Sequence, residues 1–71
     1  MDRSSFEHQA RSWREKALEV SLHYGAGKDE AEDIAQDVML RLWQMHDELE
    51  HCRSIEAIVV LMARHMLRNH Q

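Results

Sequence analysis

Between Asp29 and Trp43 the chain reads DEAEDIAQDVMLRLW, and its apolar residues Ala31, Ile34, Ala35, Val38 and Leu42, continued by Met45, return every three or four positions. That period is the turn of an α-helix, and it stacks the six side chains on one buried face. At ~100° per residue, Asp33, Gln36, Asp37, Leu40 and Gln44 fall on the opposite side. Leu40 is therefore a large apolar residue in the middle of a polar stripe. Met39 and Trp43 widen the apolar arc beyond one packing contact, and such spill often marks a surface that meets a partner. Isolated exposed apolar residues are also common, and the alternative is that Trp43 simply closes the core.

Two further segments share the period. Behind Ser4 and Glu7, which read as an S-x-x-E capping box, Phe6, Ala10, Trp13, Ala17, Val20 and Tyr24 step by four and three and predict a buried stripe. Leu18 and Leu22 lie off it and need another cover. Gly25-Ala26-Gly27 ends this first helix, since glycine turns the chain at positive φ. Asp29 reads as the N-cap of the second helix, whose first carboxylates complement the helix dipole. His46–Arg53 reads as a polar connection. Ser54 caps a third helix that buries Ile55, Ile58, Val59, Met62 and Met66 and turns Arg64 and Arg68 away from the core beside Ala57 and Leu61. With no Pro, two Gly and no repeat among 71 residues, the expectation is one all-α domain over residues 1–71. It is a three-helix bundle with helices at about 4–24, 29–46 and 54–69.

Charge is uneven along the chain. The formal total is −4, yet residues 1–27 balance, residues 28–50 carry two basic and eight acidic side chains, and residues 51–71 carry three basic and one acidic. A surface that grips nucleic acid all over is excluded; an acidic middle helix followed by a mildly basic end is what remains. The single Cys52 permits no internal disulfide, and with no secretory leader and no apolar run long enough for a bilayer the chain reads as soluble and cytoplasmic, without membrane partners.

Catalysis has no foothold. Six histidines are present, but none pairs at the i, i+4 spacing that sets two imidazoles on one helix face; His46 with His51 and His65 with His70 are five apart. Cys52 beside His51 lacks an orienting third group. The expectation is no enzyme, no metal and no cofactor.

The run Ala31-Glu32-Asp33-Ile34-Ala35-Gln36-Asp37-Val38-Met39-Leu40-Arg41-Leu42-Trp43 resembles the A-E-D-[IL]-x-Q-[DE]-x-F-x-x-[LA]-[WY] signature of region 2 in bacterial sigma factors, especially the extracytoplasmic-function group. Ser54-Ile55-Glu56-Ala57 with Leu61-Met62-Ala63-Arg64-His65 resembles that family's next helix, x-x-A-W-L-x-x-I-A-R-N, and Phe6 to Tyr24 corresponds to the preceding one. The sequence departs at Met39, Ile58 and His65, where the family has Phe, an aromatic and Asn. The resemblance implies a module of a larger helical protein that binds core RNA polymerase and contributes to −10 promoter recognition in transcription initiation. By that resemblance Asp33, Gln36, Asp37 and Leu40 dock on the β′ clamp helices, and Arg53, Arg64, His65 and Arg68 face promoter DNA. The loop His51-Cys52-Arg53 lies where the family captures a flipped-out base, and an anti-sigma factor is a possible further partner. Two or three basic contacts supply little salt-dependent affinity, so DNA binding by this chain alone is expected to be weak or absent. Two other readings of the residues stay open: a three-helix interaction or dimerisation module without DNA binding, and a helix-turn-helix duplex reader, for which the third helix has few base-reading side chains.

Overall fold

The computed structural model describes residues 2–69, which form three α-helices, α1 (Arg3–His23), α2 (Lys28–Gln44) and α3 (Ile55–Asn69), with a 3₁₀ turn at Leu49–His51 before α3. No strand occurs among the described residues, and the expected all-α three-helix bundle is what the chain adopts. α1 is the spine: it packs against both other helices, and α3 leans more on α1 than on α2.

The helix starts differ from the expectation in two places. Asp2, not Ser4, caps α1: its Oδ1 accepts the Ser5 N–H at 2.8 Å, and Ser4 lies inside the first turn. A carboxylate two residues upstream provides the same acceptor and adds a negative charge at the positive end of the helix dipole. Glu7 instead accepts from Arg3 Nε at 3.0 Å, one turn back. In α2 the N-cap is Gly27, with no side-chain cap bond, and Asp29 sits in the first turn beside Glu30. The cause lies upstream. Gly25 (φ 98°) follows the C-cap Tyr24, and the N–H groups of Gly25 and Ala26 donate to the carbonyls of Leu22 (3.1 Å) and Ser21 (3.0 Å). This paired closure is the Schellman arrangement. It delivers Gly27 already extended (φ −71°, ψ 166°), so the first bond of α2 is Ala31 N–H to Gly27 O at 2.8 Å. Ser54 does cap α3: its Oγ accepts the Ala57 N–H at 3.2 Å.

The core is built from Phe6, Trp13, Ala17 and Val20 of α1, the α2 stripe Ala31, Ile34, Ala35, Val38 and Leu42, and Val59, Ala63, Met66 and Leu67 of α3. The α2 stripe is as expected, with Met45 half-buried. Tyr24 is not a core residue: it is 52% exposed, because the chain turns at it and the last turn of α1 overhangs the bundle. Leu18 is half-buried against the core, whereas Leu22 is exposed. In α3 Ile55, Ile58 and Met62 are only half-buried, and the fully covered stripe centres on Val59 and Ala63. That is a rotation of about 60° from the expected stripe at 100° per residue. α3 turns this way because its main neighbour is α1.

The connection after α2 is less polar than it reads. α2 stops at Gln44 rather than 46, and Leu49 is driven into the core at 1% exposure by the 3₁₀ turn. Aromatic contacts brace the same end of α2. Phe6 meets Trp13 edge-to-face (5.2 Å, 71°) and Trp43 likewise (5.1 Å, 73°), and Trp43 stacks on His46 (4.2 Å, 11°). These contacts tie the start of α1 to the end of α2 and the turn beyond it.

Candidate functional site

The outward face of α2 presents Asp33, Gln36, Asp37 and Leu40, all exposed, with Leu40 at 55%. The local cause is the period itself: Ile34, Ala35, Val38 and Leu42 are fully covered, so residues half a turn away must point outward. The stripe runs between two grooves. On the α1 side, Arg14 joins Glu32, Asp33, Gln36 and Met39 in one cleft. On the α3 side, Asp37 and Arg41 line another with His65, Met66 and Asn69. Trp43, at 38% exposure, continues the apolar part of the face one turn beyond Leu40. The face thus combines exposed carboxylates, a central leucine and an aromatic at one end; where such a surface meets another, complementary charge steers encounter and apolar burial supplies affinity.

The four basic-side candidates are all exposed but do not form one patch. Arg64 and Arg68 share a cleft with Tyr24 and Leu67 between α1 and α3. His65 lies in the α2–α3 groove with Asp37, and Asn69 Nδ2 stands 3.1 Å from its Nε2, which accepts when the ring proton is on Nδ1. Arg53 precedes α3, and roughly 13 Å of helix rise separates the start of α3 from Arg64. His51, Cys52 and Arg53 follow in one short loop. Cys52 is half-buried there, its thiol donating to the Glu48 carbonyl at 3.5 Å, while His51 and Arg53 are exposed.

A residue that the sequence reading placed in the core thus belongs to the surface chemistry. The Arg64 guanidinium carbon lies 5.2 Å from the centre of the Tyr24 ring, a cation–π contact across the α1–α3 seam. The signal was available in principle: Tyr24 immediately precedes a helix-ending glycine, where side chains overhang the last turn. A scan against protein-family models and searches of curated proteins and of solved structures each found no match. Among the described residues no group of three or more His, Cys, Asp or Glu side chains is placed to hold a metal ion, and no helix is long and apolar enough to cross a membrane. His70 lies outside the described residues.

Proposed function

We propose that this chain is a sigma factor region 2-type module that acts in the cytoplasm. It docks through the outer face of α2 on the β′ clamp helices of core RNA polymerase and turns its α3 side toward the −10 promoter element. It performs no catalysis. The observation that carries the reading is the single exposed stripe Asp33, Gln36, Asp37 and Leu40, which coincides residue by residue with the clamp-binding positions of the signature it resembles. Glutamine and two carboxylates around one leucine suit a basic coiled coil: the charges set register, and Leu40 is the anchor that loses water on docking. Arg64 and Arg68 would then contact phosphates, positioning a strand without reading its sequence, and Arg53 would stand within the loop that matches the family's base-capture loop. The split of the basic side chains over two faces fits weak strand binding by the isolated chain. An anti-sigma factor that covers the α2 stripe would compete with polymerase.

The test is capture of core polymerase by the wild-type chain and by a variant carrying Gln36→Lys and Asp37→Lys. Loss of capture with helicity unchanged is expected; undiminished capture would remove the docking face. A second reading, a dimerisation module, draws on the adjacency of exposed Leu40 and Trp43. Sedimentation showing a stable homodimer that Leu40→Asp dissociates would favour it.

A further inference from the structure

The α1–α3 seam carries an exposed aromatic ring in a basic setting, on a chain whose net charge is −4. Tyr24 is 52% exposed, with the Arg64 guanidinium over its ring and the His23 ring edge-on to it (5.2 Å, 89°). Arg64 from α3 and His23 from α1 thus both contact the ring. Arg68 lines the same cleft, about 290 Å³ in volume, and a second cleft on the other side of Tyr24 is lined by Lys16 and His23. Among the residues lining the two clefts the one carboxylate is Glu19, and Lys16 Nζ neutralises it at 4.0 Å. Leu67 and Val60 supply the apolar lining of the two clefts.

We propose that Tyr24 and Arg64 form a stacking clamp for one unpaired nucleobase of a single-stranded nucleic acid, with Arg68 on the adjoining phosphate. Tyr24 supplies the face on which the base stacks, and Arg64 shifts to close over its far side. Every base has a π-face, and aromatic rings and guanidinium planes both stack on it. A duplex hides those faces, which selects a single strand. An acidic peptide would engage the guanidinium groups alone and leave the exposed face of Tyr24 without a partner. The clamp rests on the reading of α3 as the strand-facing helix.

Fluorescence anisotropy of the full chain with a short labelled deoxythymidine oligonucleotide at low ionic strength tests it. Tyr24→Phe should bind like the wild type. Tyr24→Leu, which fills the cleft without a π-face, should bind about 5- to 100-fold more weakly. Arg68→Ala should lower the salt slope by about one. An oligonucleotide with bromodeoxyuridine should cross-link to Tyr24 under ultraviolet light. Equal binding of an abasic strand, tighter binding of the matched duplex, displacement by polyglutamate at matched charge, or no binding by the wild-type chain would each overturn the clamp. The two readings fail separately. Polymerase capture by Tyr24→Leu should equal wild type, and a wild-type chain that captures no polymerase overturns the function proposed above while leaving the oligonucleotide result standing.

Discussion

Phe6 sits between Trp13 and Trp43 and meets both at near-perpendicular ring angles. Edge-to-face pairs add about 0.5–1.5 kcal/mol to the area they bury. Truncation of a buried phenylalanine costs about 3–5 kcal/mol. A domain of this size holds little more in reserve, so Phe6→Ala should abolish the cooperative thermal transition, and Phe6→Leu should only lower its midpoint; tryptophan fluorescence on heating distinguishes the two. Asp2 acts by charge instead. The hydrogen bond from the Ser5 N–H holds its carboxyl below the usual aspartate range. A depressed folded-state value means the cap's contribution is complete above the unfolded value of about 3.9 and is lost as pH falls through the folded one. Asp2→Ala should therefore melt below the wild type at neutral pH, and the gap should close in melts taken at progressively more acidic pH.

At the scale of elements, the Gly25–Gly27 link decides how α1 hands over to α2. Gly25 at φ 98° is in the region a side chain disfavours, so Gly25→Ala should cost about 1–2 kcal/mol. Gly27 has an ordinary φ and open space around it. Gly27→Ser supplies the side-chain acceptor that the N-terminus of α2 lacks and should gain a few tenths of a kcal/mol; urea denaturation of both variants checks the opposite signs. This link also explains what sequence could and could not reveal. The α2 stripe was legible because five buried residues at strict spacing overdetermine one face. Its true start was not, because the paired carbonyl closure at Ser21 and Leu22 fixes Gly27, and that depends on how α1 ends rather than on residue preference at 27–29. Leu49 was hidden among polar neighbours, with no periodic partner in a three-residue turn. The stripe of α3 was found but its rotation was not, since spacing identifies a face and only the neighbouring helix chooses its centre. Asp33, Gln36, Asp37 and Leu40 were legible as exposed for the same reason that the core opposite them was, while Tyr24 followed the heptad-like steps of α1 one residue too far.

For the molecule as a whole, the acidic face of α2 and the basic seam of α1 with α3 are separate surfaces joined through one spine. Substitutions on the first should leave the fold intact. Leu40→Ala removes a half-exposed side chain, so the unfolding free energy should stay within about 0.5 kcal/mol of wild type, while polymerase capture falls by tenfold or more if Leu40 is the anchor. Parallel denaturation and capture titrations separate the two effects. The pair of tryptophans then has a practical consequence. Trp13 is sealed at 3% exposure and Trp43 stands open at 38% beside the exposed α2 stripe. The protein thus contains one silent and one solvent-reporting fluorophore. Acrylamide should extinguish the emission of Trp43 and leave that of Trp13, and any partner that settles on α2 should shield the quenchable fraction, so that occupancy of this face is readable without a label.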